Sequence, residues 1–339
     1  MTPTSRERPV VSVSIGAPPV YAAYVLDGLT TLFGRRLRFV RDLNLDASAY
    51  AVAFRVGSLE GSRFYVSLGD HATLDPVGLE WATVYGKVNA LEEDERAHPT
   101  LVPVGPTFGI RVRSARVAAG AAQATVGRTW TLKRLPYDAY STLRYRRWRL
   151  PVSRYTPGVS DPGYVFYAAW PWKKHAEVNP PRARFIEVCR AARGLEFEGG
   201  FAPRRRSDID EVLSLSAPRR YSMAEYLRKT KRSAVAFNNP AVHDCHGWKL
   251  GEFLALGKAI ISLPLTRALP APLRHGEHIH YVDGTRESIA EALEVIRADA
   301  DYRTYLETNA RRWYLEYLEP GALVKGLLAA DRASDEVEA

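Results

Sequence analysis

The sequence predicts an α/β protein of two domains, and three observations predict it. The chain has 339 residues, more than one compact core usually holds, so it should divide into domains of roughly 150–180 residues. Short apolar or β-branched runs alternate with stretches of helical periodicity, the pattern of sheets covered by helices on both faces. Pro151, Pro157, Gly158, Pro162 and Gly163 interrupt that alternation. They mark a linker at 156–163 between an N-terminal domain over 1–155 and a C-terminal domain over 164–332, with an acidic frayed tail at 333–339.

In the first half, Val10–Ile15, Arg38–Val40, Tyr50–Val56, Phe64–Leu68 and Leu101–Val104 read as strands, each bounded by Gly, Pro, Asp or charged residues. Tyr21–Phe33 carries apolar residues at helical spacing and ends at Gly34, a helix stop, so the chain opens as βαβ and favours a parallel sheet. After the linker, Tyr164–Ala168, Leu195–Phe197, Ser233–Phe237 and Ala259–Leu263 read as strands, alternating with helices at Arg182–Ala192, Ser222–Lys229 and Trp248–Leu256. Thr285–Ala298, Asp301–Tyr317 and Pro320–Ala330 close the chain as three helices.

Composition narrows the function. Hydrophobic residues at 46% and charged residues at 25% exclude a largely disordered or fibrous chain. Two cysteines, Cys189 and Cys245, exclude a disulfide framework and a cysteine-based structural zinc site. The run Val10–Ile15 after Arg6 and Arg8 is short, alternates with serine and is closed by Pro18 and Pro19, so it reads as a strand and not as a secretion signal. With no uncharged apolar run of about 18 residues, the expectation is a soluble, cytoplasmic protein. A net charge of +9 directs attention to anionic partners. Over 128–155, Arg128, Lys133, Arg134, Arg144, Arg146, Arg147, Arg149 and Arg154 interleave with Trp130, Tyr137, Tyr140, Tyr145, Trp148 and Tyr155. That texture suits an anionic membrane surface or single-stranded nucleic acid, or a solvated helix packed through its aromatics.

The chemistry concentrates in Asn238–Ser262. This stretch leaves a strand, loops, opens a helix at Gly247, stops at Gly257 and returns to the sheet. In a doubly wound sheet ligands sit at the carboxyl ends of strands, and the first-turn amides of a helix attract phosphate. Lys249, a cation in a first helical turn, opposes the helix dipole unless an anion is bound. Leu250, Phe253 and Leu254 mark the core face, which turns Glu252 outward, where a carboxylate can accept bonds from two vicinal hydroxyls.

Asp244 precedes Glu252 by eight positions, and the stretch resembles the E-x7-E donor signature of glycosyltransferases with the GT-B fold. Asp244 matches the first acid, one methylene shorter than usual, Gly247 the glycine before the helix, Glu252 the second acid and Phe253–Ser262 the closing run. His246 and Trp248 flank the glycine where the family has small or aromatic residues. The resemblance covers 160–332 and implies two Rossmann-like domains facing a cleft, with the C-terminal domain holding a nucleotide-sugar. Asp244 would then contact the donor sugar and Glu252 the ribose. Gly247, Trp248 and Lys249 complete that set, and Lys173 and Lys174, after the first strand of the C-terminal domain, would meet the diphosphate. Asp70 and His71, following the strand Phe64–Leu68, are the expected catalytic pair of the other domain, with a turn and a cap as their structural alternative. Asp75 is a weaker competitor, and Lys87 and Asn89 are placed along an acceptor site.

The resemblance further implies a retaining, metal-independent transfer with no cofactor beyond the donor. Its acceptor would be a saccharide or a lipid-linked glycan, with membrane contact through 128–155 and no nucleic acid. Asp208 and Asp210, and Asp299 and Asp301, form D-x-D strings that read as helix starts and not as metal ligands. His243, Cys245 and His246, and His275, His278 and His280, lack zinc spacing, and dinucleotide and P-loop fingerprints are absent. The alternatives are a nucleic-acid-binding protein on an α/β scaffold and a GT-B-fold nucleotide-sugar epimerase or hydrolase.

Overall fold

The computed structural model describes residues 9–40, 43, 45, 50–58, 61–112, 114–125, 148–173, 176–203 and 214–338. They form two compact units, 1–151 with 317–339 and 152–316. The boundaries differ from those read off the sequence. Residues 156–163 belong to the second unit, and the last helix belongs to the first.

The first unit contains β1 (Val11–Ile15), α1 (Pro19–Phe33), β2 (Leu37–Phe39), β3 (Ala51–Val56), β4 (Arg63–Ser67), α2 (Pro76–Trp81), β5 (Val84–Lys87), α3 (Glu92–Ala97), β6 (Leu101–Pro103) and α4 (Ala115–Thr125). Its sheet runs β2-β1-β3-β4-β5-β6. The sheet is mixed and not all parallel, because β3 is antiparallel to both β1 and β4. The physical reason is the short link between β3 and β4, which turns through Gly57 at φ 90° and leaves no room for a crossover helix. Strand β5 was not legible as a strand. Its four residues include Gly86 and Lys87, which break the apolar run.

The second unit contains β7 (Tyr164–Ala169), α5 (Asn179–Ala191), β8 (Glu196–Phe201), α6 (Met223–Arg232), β9 (Ala236–Asn238), α7 (Trp248–Ala255), β10 (Ile260–Ser262), β11 (His280–Tyr281), α8 (Arg286–Ala298) and α9 (Ala300–Trp313). All its strand pairs are parallel: β7 with β8, and β9 with β10 with β11. The core interleaves Val165, Phe185, Phe201, Phe237, Ile261 and Leu293 from strands and from α5 and α8. Gly257, at φ 56°, ends α7 where a residue with a Cβ would be strained. The chain finishes in α10 (Pro320–Glu338). Among the described residues no helix is long and apolar enough to cross a membrane.

Candidate functional site

Strand β7 is the pivot of the second unit. On one side β8 pairs with it through Tyr164–Ala169. On the other lies the run into β9, with the Ala234 N–H donating to Tyr164 O (2.8 Å) and the Phe166 N–H donating to Ser233 Oγ (2.9 Å). Chain order therefore reverses between β7 and β9, and the carboxyl ends of those strands are where such a sheet takes ligands.

The loop leaving β9 carries two consecutive non-glycine residues in the left-handed region, His243 and Asp244, each at φ 56°. Such residues cost of order 1 kcal/mol or more apiece and persist only when their surroundings hold them. Here the holding groups come from the segment after β10. Thr266 Oγ1 donates to Asp244 O (2.9 Å), and Arg267 donates to His243 O. The buried His246 ring hydrogen-bonds the backbone of Arg267 and Ala268, and burial pushes its pKa down to about 4, so it stays neutral at physiological pH. The side chains of His243 and Asp244 are exposed. Gly247 then caps α7 without a side-chain bond.

Helix α7 is buried from Leu250 through Ala255, so Glu252 is 4% exposed and not turned outward as expected. An amphipathic reading fails because the helix has hardly any solvent face. The Glu252 carboxylate is hydrogen-bonded by the Tyr226 hydroxyl of α6. Lys249 Nζ donates to that Tyr226 oxygen (3.1 Å) and to Ala168 O at the end of β7 (2.6 Å). Its ammonium lies 4.8 Å from the Tyr226 ring and 5.5 Å from the Tyr167 ring. Burial pushes the lysine down to about 8, with Glu252 pulling it back and Arg182 adding repulsion. Burial, then the charge of Glu252, holds the Tyr226 phenol well above its ordinary range.

Arg182 of α5, 7% exposed, is the second cation here. Its Nε donates to Asn239 Oδ1 (2.9 Å) and its Nη1 to Trp170 O (3.2 Å). The Asn179 amide pins the following loop, accepting from Trp172 N (2.9 Å) and donating to Trp172 O (2.7 Å). Tyr167 is buried with a hydroxyl that meets no hydrogen-bond partner among the described residues, and burial pushes its pKa up to about 12. Two cations, one carboxylate and an unsatisfied hydroxyl thus share the carboxyl end of β7, an edge suited to an anion. Neither of two open surface concavities, one of about 360 Å³ along Arg184 and Asp283–Glu287 and one of about 600 Å³ between α5 and α8, includes this cluster.

The structure thus brings Lys249 and Glu252 together and adds Arg182, Tyr226, Tyr167 and Asn239, none of which the sequence singles out. Asp244, Gly247 and Trp248 stand on the loop and first turn leading into them. Lys173 is exposed on the loop after β7, and Lys174 lies outside the described residues. Residues 128–147 and Asp208 and Asp210 also lie outside them.

In the first unit, Asp70 and His71 are exposed on the loop after β4. Lys87 and Asn89 are each 1% exposed and anchor that loop: Lys87 Nζ donates to His71 O (2.7 Å) and Ser67 Oγ (3.2 Å), Asn89 Nδ2 to Gly69 O (3.0 Å). They fasten that loop from beneath. The Asp75 carboxylate is occupied, capping α2 through Val77 N and accepting from the Tyr65 hydroxyl. Asp299 caps α9. Among the described residues no group of three or more His, Cys, Asp or Glu is arranged to hold a metal.

No protein-family model matches the chain, and no curated protein matches it. Among solved structures it is similar to the C-terminal domain of a glycosyl transferase group 1 family protein from Francisella tularensis, at 13% identity over 50% of this chain and 90% of that one, TM-score 0.34. A glycosyltransferase from Rickettsia africae is similar at 8% identity over 74% of this chain and 63% of that one, TM-score 0.43. HepE of Anabaena, solved with UDP and glucose, is similar at 9% identity over 77% of this chain and 64% of that one, TM-score 0.41. The chain thus spans less than two thirds of the last two, and the functional reading rests on its own residues.

Proposed function

We propose that the chain is a GT-B-type glycosyltransferase that takes a nucleotide-sugar at the carboxyl ends of β7 and β9. The observation that supports this best is the meeting of Lys249, Arg182 and Glu252 at that edge, directly after a loop with the Asp244-x7-Glu252 spacing. A diphosphate would draw the Lys249 amine away from Ala168 O and share it with Arg182, so that both cations stabilise charge as it develops on the leaving nucleoside diphosphate. Glu252, released from that contest, would accept from the ribose hydroxyls, and Asp244 from the transferred sugar. Retention of configuration and independence from a metal or other cofactor rest on the resemblance of this loop to the E-x7-E signature. The proposed acceptor is a saccharide or a lipid-linked glycan. The basic aromatic composition of 128–155 supports contact with the inner face of a membrane. Asp70 and His71 remain the proposed catalytic pair, presented on a loop that Lys87 and Asn89 hold still.

Thermal stabilisation by UDP, GDP, ADP, CMP and dTDP tests the reading. At least one diphosphate should raise the melting temperature of the wild type, and Glu252→Ala should blunt that response, while Asp244→Ala should blunt only the added effect of the sugar. A wild type that responds to none of them overturns the assignment.

A further inference from the structure

A second charged cluster lies in the first unit, on residues that the proposed reaction does not use. Arg55 of β3 is 9% exposed, yet its side chain has no hydrogen bond or ion pair to a described residue, and its Nε is fully enclosed without an acceptor among them. Its direct neighbour across the antiparallel pair is another arginine, Arg63 of β4. Like charges directly opposite each other destabilise a sheet, and a buried guanidinium without a counter-charge is costly. Nothing in the fold demands a charge here, since Ser12 faces Arg55 from β1. The two side chains are nevertheless held in place. The Arg55 guanidinium lies 5.9 Å from the centroid of Trp81, and Arg63 Nε donates to Trp81 O (2.6 Å) while its backbone N–H donates to Thr83 Oγ1 (3.0 Å). The outer nitrogens of the Arg63 fork have no hydrogen bond or ion pair to a described residue.

We infer that Arg55 and Arg63 form a binding site for a phosphate group, gripped between two guanidinium forks beside Trp81. A tetrahedral oxyanion supplies the missing negative charge, accepts from both forks and removes the repulsion between them. This site is independent of the donor cluster, which lies in the second unit.

The test titrates inorganic phosphate against chloride at equal ionic strength and follows the melting temperature of the full chain, its Arg55→Met and Arg63→Gln variants, and a Lys249→Met variant. Phosphate should stabilise the wild type and should still stabilise Lys249→Met. Either arginine substitution should weaken apparent phosphate affinity about ten- to a hundredfold, the value of a charge-assisted hydrogen bond. Without phosphate, Arg55→Met should melt higher than the wild type. Arg63, only partly buried, carries the test should Arg55→Met not fold. Co-sedimentation with phosphatidylglycerol vesicles, against phosphatidylcholine, separates the sources: arginine-dependent retention on the former alone assigns a lipid headgroup, and a response to phosphate without retention assigns a soluble phosphate compound. Equal phosphate responses in wild type, Arg55→Met and Arg63→Gln overturn the proposal, as does a wild type indifferent to both phosphate and vesicles. The response to whichever nucleoside diphosphate stabilises the wild type, lost in Lys249→Met and kept in Arg55→Met, reports on the donor cluster separately.

Discussion

Lys249 shows what one side chain can decide. Its amine sits among rings and beside Arg182, so burial brings its pKa from 10.5 to about 8. The sign follows from proton counting. Between about 8 and 10.5 the unfolded chain holds a proton that the fold does not, so this group makes the fold more stable as pH rises through that window. Anion binding runs the other way, because only the ammonium attracts a diphosphate. The affinity for the stabilising nucleoside diphosphate should therefore fall as pH rises through about 8, and the profile should flatten in Lys249→Met. Isothermal titration from pH 6.5 to 9.5 checks this, and identical profiles for the two proteins would contradict a phosphate role for the lysine. The position of Lys249 was legible in the sequence as a cation misplaced in a first helical turn. Its partners were not, because Tyr226, Tyr167 and Arg182 arrive from other elements, and neither periodicity nor spacing ties them to Lys249.

At the scale of elements, what the sequence discloses is local. Helix α6 starts where Ser222 and Glu225 form a reciprocal cap, the Glu225 N–H donating to Ser222 Oγ (3.3 Å) and the Ser222 N–H donating to Glu225 Oε2 (2.9 Å). Ser222→Ala should cost about 1 kcal/mol in denaturant unfolding, the usual worth of such a cap, without changing the slope. Because α6 also carries Tyr226, the same substitution should leave nucleotide binding nearly intact if the helix frays only at its first turn; a large loss of binding would show that the cap sets the register of the site. Caps and stops such as Ser222, Thr285 and Gly257 speak through neighbouring residues, which is why these boundaries could be read in advance. The direction of β3 turns on the shortness of its link to β4, and the burial of Glu252 on side chains that arrive from other elements; periodicity reports neither.

At the scale of the whole chain, the last helix returns to the first unit. An added Cβ at Gly28 of α1 would lie 2.0 Å from Pro320 O, so the two backbones touch where only glycine fits. The Tyr24 hydroxyl donates to Leu318 O (2.9 Å), Thr83 Oγ1 donates to Asp331 Oδ1 (2.9 Å), and Leu327, fully buried, packs where Gly86 of β5 leaves room. Residues more than 200 positions apart thus close one core, and a contact of that separation leaves no trace in local pattern. Its consequence is measurable. Leu327→Ala removes a buried side chain from this seam and should cost roughly 2–5 kcal/mol, the usual range for such a cavity. Hydrogen exchange should register the loss in the amides of β4, β5 and α1, which share that core, while amides of β9 and β10 in the second unit keep more of their protection. Leu293→Ala in α8, inside the other core, should reverse the pattern. If Leu327→Ala lowers protection equally in both sets, the two units unfold as one, and α10 stabilises the chain as a whole and not the first unit alone.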